Sequence, residues 1–376
     1  MAKNICIKIR NWILGFLYRM LARPVFFMID AQDVHDFTVQ FGNKLGTYKI
    51  GRITTALLFN YQSPILKQTI CGIEFKNPVG LAAGFDKDAY LTQLLPEVGF
   101  GYMEVGSITG EPCAGNPRPW MWRLPKSKSL LVNYGLKNEG CEKIAKRLSL
   151  EKFQIPLGIN IAKTNSPDTV DLQKGIDDYL KVYRTFTQAG IGDYFTLNIS
   201  CPNTYGGEPF AEPANLKRLL EAICVLSSNK PVFIKLSPDL SQSVIDQIIK
   251  IARQYKISGF VCSNLTKEQS SPKIRETRLP GKGGLSGKVV EDLANEQIEY
   301  IYRKTHGEFV IIGCGGVFSA KDAYKKIKLG ASLIQQVTGM IFEGPQLVSE
   351  INQGLVKLLK KDGFNSISEA IGIENK

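Results

Sequence analysis

The sequence predicts an α/β protein of the (β/α)8 barrel class, a TIM barrel, with a small N-terminal helical extension. Three observations lead there. Short apolar runs alternate with amphipathic segments of helical length from Asn77 onward, and there are eight of them. Polar side chains collect where those runs end, as they do on the functional rim of such a barrel. No G-x-G-x-x-G follows the first run, which an open doubly wound sheet, the competing architecture, would carry.

The first residues, "KNICIKIRNWILGFLYRMLARPVFFMID", mix apolar side chains with Lys3, Lys8, Arg10, Arg19 and Arg23. The longest uncharged run before Arg19 is eight residues, 11–18, and a membrane-crossing helix needs about 20. A secretory signal would show a longer apolar region and a small-residue cleavage site. Two readings stay open for this segment: a basic, aromatic-bearing helix lying in a bilayer interface, or a helix packed on the protein's own core. The expected division is residues 1–60 for the helical piece and 61–376 for the barrel.

The eight runs are "PVGLAAG" (78–84), "YMEVGSI" (102–108), "PLGINIA" (156–162), "YFTLNIS" (194–200), "VFIKLS" (232–237), "GFVCSN" (259–264), "FVIIGCGG" (309–316) and "LIQQVTG" (333–339). Helical patterns between them include "AYLTQLLPEV", "GIDDYLKVYRTFTQ", "NLKRLLEAI", "SVIDQIIKIARQ" and "AYKKIKLG". Uninterrupted apolar strands joined by helices imply a parallel sheet covered on its faces. The run ends carry Ala83, Gly84 and Lys87, then Ser107, Asn160, Asn198 with Cys201 and Asn203, Lys235, Ser263 with Asn264, Gly315 with Gly316, and Val337 with Thr338. Singly, an asparagine there is a turn former and a lysine points to water. Together they describe a pocket of neutral hydrogen-bonding groups suited to a planar ligand rich in carbonyl and N–H groups. Glycine-rich turns after the seventh and eighth runs add a candidate phosphate cradle.

Lysine and arginine exceed aspartate and glutamate by 12. The excess is scattered and no nucleic-acid-binding signature accompanies it, so a nucleic-acid partner is not expected. The eight cysteines stand singly with no C-x-x-C, which argues against a structural zinc, an iron–sulfur cluster or a disulfide framework. His35 and His306 sit in no motif, so no metal site is expected.

Seven segments stand out together: "RPVFFMIDAQDVHDFT", "FKNPVGLAAGFDKDA", "GFGYMEVGSIT", "NISCPNT", "IKLSPDLS", "GGLSG" and "IIGCGGV". With these the chain resembles the dihydroorotate dehydrogenase family, specifically its membrane-associated, quinone-using branch. The resemblance implies FMN held by Ala83, Gly84, Lys87, Ser107, Asn160, Asn198, Lys235, Ser263, Gly287, Gly316, Val337 and Thr338. Dihydroorotate would be held by Lys87, Asn198, Asn203 and Asn264, with Cys201 as the base that removes a ring proton. It further implies a membrane quinone as electron acceptor, reached along the N-terminal helices, in a peripheral protein on the cytoplasmic face of the cell membrane. A monomer is expected.

The chain departs from the family's pattern on the substrate side. The quinone branch normally has serine at Cys201. Val132 stands where a substrate asparagine is expected, Asn133 where arginine is, and Leu136 where phenylalanine is. Leu265 replaces a hydroxyl residue, and Ala162 a glycine. Removing a polar partner costs roughly 1–3 kcal/mol per group in such a site. Either Asn133 moves in as a substrate ligand in place of the missing amide, or the enzyme acts on a different dihydropyrimidine-like ring. A non-catalytic flavin-binding or membrane-surface protein is the reading from another class, and Cys201 beside Lys87 weighs against it.

Overall fold

The computed structural model describes residues 2–226 and 228–375, with side chains from Asn4 onward, so the Lys3 side chain and Lys376 lie outside the described residues. The eight apolar runs form eight parallel strands: β1 (Val79–Leu81), β2 (Tyr102–Ile108), β3 (Leu157–Ile161), β4 (Tyr194–Asn198), β5 (Val232–Leu236), β6 (Gly259–Cys262), β7 (Val310–Cys314) and β8 (Leu333–Gln336). They close in sequence order, with β8 pairing β1 and β5 pairing β6. This is a (β/α)8 barrel.

Strand periodicity of two sorts each strand's residues between the barrel interior and the helices outside. Tyr102, Tyr194, Phe233, Val261, Ile312 and Leu333 point inward and pack together at the amino-terminal end. Gly80 and Gly158 are small because these tyrosines lie across them. A Cβ at Gly80 would meet the Tyr102 ring at 2.3 Å, and one at Gly158 the Tyr194 ring at 2.2 Å. A hairpin (Gln68–Ile70 with Ile73–Phe75) adds Phe75, Ile70 and Ile73 to this layer and plugs the barrel floor. Two residues further along the same strands, the inward positions become Glu104, Asn160, Thr196, Lys235, Ser263 and Gln335. The interior is therefore apolar below and polar above.

Two features differ from expectation. The segment 89–98, expected to be helical, is helix only over Leu95–Val98. Pro96 has no N–H to return to the preceding turn, and the Asp86 carboxylate instead takes the N–H groups of Tyr90 and Leu91, both at 2.8 Å. An antiparallel sheet not read from the sequence (Met121–Leu124, Ser129–Val132 and Gly284–Gly287) links the loop after β2 to the loop after β6 above the barrel mouth.

The N-terminal region forms α1 (Ala2–Leu17), a wider turn at Tyr18–Ala22, α2 (Arg23–Met28), α3 (Ala31–Thr47) and α4 (Lys49–Phe59). No single helix among the described residues is long and apolar enough to cross a membrane. The region meets the barrel through polar as well as apolar contacts. Asn11, 2% exposed, donates to Ser349 Oγ at 3.0 Å, Tyr18 OH to the Ile341 carbonyl at 2.7 Å, and Arg23 to the Phe342 carbonyl at 3.0 Å. Its outer face is apolar: Trp12 is 65% exposed, and Ile5, Ile9, Phe16 and Met20 continue the same stripe.

Candidate active site

A cavity of about 590 Å3 opens at the carboxyl ends of the strands and runs without interruption between α3 and α4. At its barrel end stand Ala83, Gly84, Lys87, Ser107, Asn198, Cys201, Asn203, Lys235, Ser263, Asn264, Gly287, Gly316, Val337 and Thr338. At its other end stand Val34, Phe37, Phe41, Leu45 and Phe59 with Leu91 and Leu94. One chamber thus has a polar end and an apolar one.

The polar end is organised from below by Glu104, which is fully buried between β1 and β3. A carboxylate only accepts hydrogen bonds when ionised, and Glu104 takes them from Asn160 Nδ2 at 2.7 Å, Gln335 Nε2 at 2.8 Å, Thr196 Oγ1 at 3.0 Å and Tyr194 OH at 3.3 Å. With its NH2 so committed, Asn160 presents Oδ1 to the Ser107 hydroxyl. The Ser107 oxygen then accepts from Asn198 Nδ2 at 2.8 Å, and Asn198 Oδ1 accepts from Asn264 Nδ2 at 3.1 Å. Each amide orientation on the rim follows from the one beneath it.

Lys87 projects from the turn after β1, with its ammonium 3.6 Å from the centroid of the Tyr134 ring. Burial lowers its pKa to about 8, with the Lys137 charge adding to the effect and Asp88, Asp36 and Asp86 opposing it. Cys201 follows β4 on the loop 199–207. Burial pushes its thiol up to about 11; Glu208 acts in the same direction, while the Asn203 N–H and the Lys235 and Lys163 charges oppose it. Asn203 donates to the Val132 carbonyl at 2.9 Å, which holds its amide at the rim.

Two site expectations are corrected by this geometry. Asn133 does not turn into the cavity; its Oδ1 accepts from Asn116 Nδ2 at 2.9 Å. Neighbouring residues on a strand face opposite ways. Leu130 and Val132 line the cavity while Leu131 packs in the core, and the Asn133 N–H continues the ladder to the Trp120 carbonyl at 2.7 Å. Asn160 lies one layer below the cavity wall and acts through Ser107. The residues that sequence reasoning missed are Glu104 and Gln335, whose signal was a polar side chain at an inward position of a strand, and the neighbouring Gln336, which carried no such signal.

The polar end fits a flavin. Ser263 Oγ, Gln335 Oε1 and Gln336 Nε2 are buried at the cavity with no hydrogen-bond partner, and buried polar groups are rarely left so unless a ligand completes them. Gly84, at φ +107°, would project a Cβ into open space at the cavity. Gly287 and Gly316 are glycines for a different reason: a Cβ would strike the Lys128 carbonyl at 2.4 Å and the Glu291 Cβ at 2.3 Å. A closed barrel with this donor and acceptor set at its mouth defines a site for a planar, hydrogen-bonding cofactor.

A family model described as dihydroorotate dehydrogenase matches residues 65–359. A relative in Trichodesmium erythraeum named dihydroorotate dehydrogenase (quinone) is 35% identical, covering 96% of this chain and 99% of its own. A relative of the same name in Nostoc sp. is 38% identical over the same shares. The solved structure of a ligand-free DHODH from Eimeria tenella superposes with a TM-score of 0.82 at 27% identity, covering 92% of this chain and all of that one. The chain belongs to the dihydroorotate dehydrogenase family.

Replacing Glu104 with leucine strips the acceptor from four buried donors, each worth about 1–3 kcal/mol when left unsatisfied. The expected outcome is a fall in unfolding free energy of at least about 3 kcal/mol in urea titration, together with loss of bound flavin on gel filtration.

Proposed function

We propose that this chain oxidises dihydroorotate to orotate in pyrimidine biosynthesis, with FMN in the barrel mouth and a membrane quinone as the final acceptor. The observation that carries this reading is the single chamber joining the Cys201–Lys87 rim to an apolar opening between α3 and α4. The names of the full-length relatives favour dihydroorotate over another dihydropyrimidine ring. Val132 and Leu265 line the chamber and make its substrate side less polar than the family pattern.

The groups proposed to hold FMN are Ala83, Gly84, Lys87, Ser107, Asn198, Lys235, Ser263, Gly287, Gly316, Val337 and Thr338, with Asn160 supporting from below. Bound there, FMN supplies the hydride acceptor and a two-electron store that a quinone can discharge. The chain's own residues do the rest. The Lys87 ammonium suits the ring carboxylate, since no side-chain carboxylate among the described residues forms an ion pair with it. Asn198, Asn203 and Asn264 offer amides to the ring's carbonyl and N–H groups. Cys201, as thiolate, takes the proton from C5 as the C6 hydrogen leaves as hydride. A thiol reaches its basic form at lower pH than a hydroxyl does, which must borrow acidity from its surroundings.

Residues 1–60 are proposed as the membrane-contacting quinone entrance and 61–376 as the catalytic barrel. The outward apolar stripe of α1 supports peripheral attachment, and the excess of 12 positive charges suits an anionic cytoplasmic leaflet. The chain is proposed to act as a monomer.

Anaerobic dihydroorotate should bleach the flavin absorbance of the purified protein; a flavin that stays oxidised overturns the reading. Cys201→Ala should slow that reduction by at least about a hundredfold. With the thiol near 11 and thiolate the active form, the parent's reduction rate at saturating substrate should climb with pH from 7 to 10, by about tenfold per unit. Affinity should move the other way. Lys87 is cationic below about 8 and neutral above, so the orotate dissociation constant, read from flavin spectral shifts, should rise as pH passes 8. Flotation with vesicles containing anionic lipid should carry the protein upward, and Trp12→Glu with Phe16→Glu should leave it in the dense fraction.

A further inference from the structure

We propose that Lys163 is a positioning residue for Cys201, its buried ammonium facing the thiol across a water-sized cavity and favouring the thiolate. The inference rests on the reading of Cys201 as the base and adds a residue to which that reading gave no role.

Lys163 follows β3 and is 4% exposed. Its Nζ donates to the Tyr205 carbonyl at 2.9 Å and to Thr169 Oγ1 at 3.4 Å. Tyr205 lies on the same loop as Cys201, so the ammonium is fastened to the segment that carries the base. Cys201 and Lys163 both line a second cavity, of about 10 Å3, behind the main chamber, with Thr204 and Glu208 as further polar walls and Leu136 and Phe210 as apolar ones. That is about the room one water needs. No carboxylate among the described residues forms an ion pair with Lys163, although Asp178 and Cys201 both act on it electrostatically. A buried cation is costly unless anions answer its charge; Asp178 acts on it from one side, and the group that can become an anion across the small cavity is the Cys201 thiol.

The other charges facing Cys201 do not make Lys163 redundant. Lys235 stands on the main-chamber side. Glu208 opposes the thiolate, but its carboxylate is drawn to Lys267 Nζ at 2.9 Å. The Tyr179 hydroxyl is held neutral by burial and spends its hydrogen on the Asn198 carbonyl at 2.7 Å. The Asn203 N–H supports the sulfur as a dipole only. Lys163 is thus the full positive charge on the face away from the main chamber. In the proton step the C5–H bond breaks, its proton joins sulfur as the hydride leaves C6, and Lys163 keeps its own proton throughout.

The test uses the flavin-loaded protein and the variants Lys163→Gln, Lys163→Met and Lys163→Arg. Iodoacetamide alkylation of Cys201, followed on its own peptide by mass spectrometry, gives the thiol's titration without substrate. Anaerobic flavin reduction by dihydroorotate gives the same titration in the reaction. Glutamine can keep the hydrogen bond to Tyr205 while losing the charge, which separates clamp from electrostatics. The expected result is an alkylation midpoint about one pH unit higher in the Gln and Met variants. Flavin reduction at pH 7.5 should be about tenfold slower, converging on the parent at high pH, with the KM for dihydroorotate within about twofold. The Arg variant should titrate near the parent. A Gln variant that titrates at the parental pH overturns the proposal, even if it reacts slowly. If Met fails to retain flavin, Gln and Arg still decide it. Failure of the base reading shows separately, as a Cys201→Ala protein that reduces its flavin at the parental rate.

Discussion

A single carboxylate sets the polarity of the barrel mouth. Glu104 is fully buried and takes hydrogen bonds from four side chains on three other strands. Because it only accepts, every group above it has a fixed sense: Asn160 turns its oxygen to Ser107, Ser107 its lone pair to Asn198, and Asn198 its oxygen to Asn264. A neutral amide in its place could point either way and would let each of these flip. Burying the charge is expensive, and only a full set of donors offsets it. The rim therefore presents one pattern of donors and acceptors rather than an average over several.

The apolar end of the chamber depends on a different constraint. The N-terminal helices are held to the barrel by directed hydrogen bonds, Asn11 to Ser349, Tyr18 to Ile341, Arg23 to Phe342 and Arg123 to Ile29, together with apolar contacts of Ile7, Phe27 and Val39. Their remaining apolar side chains supply two other surfaces. One lines the chamber through Val34, Phe37 and Phe41. The other, with Trp12 and Phe16, faces outward.

All eight strands were legible in the sequence because parallel barrel strands are buried on both faces and read as continuous apolar runs. The family likeness was legible for the same reason that the rim was: its residues cluster at the run ends. What stayed hidden was parity and layering. Asn133 sits next to Val132 and, being one residue on, faces away from the cavity, a fact that depends on a short antiparallel strand whose pattern is too brief to read. Glu104 looked like one polar residue inside an apolar run, and only the closed barrel shows that it points to the axis. The segment 89–98 has helical spacing, but Pro96 and the Asp86 carboxylate direct its backbone N–H groups elsewhere. Lys163 carried no motif at all; its meaning comes from Tyr205 and Cys201, some 40 residues along the chain.

The outward stripe of α1 has a thermodynamic consequence. Anything that covers Ile9, Trp12 and Phe16 more tightly in the folded form than in the unfolded chain deepens the native well by mass action. The free energy of folding is then a property of the protein together with its surroundings, and it differs between plain buffer, detergent and lipid. Self-association in buffer is one way to cover the stripe, and a micelle is another. A melting temperature measured in one such medium then need not carry over to another.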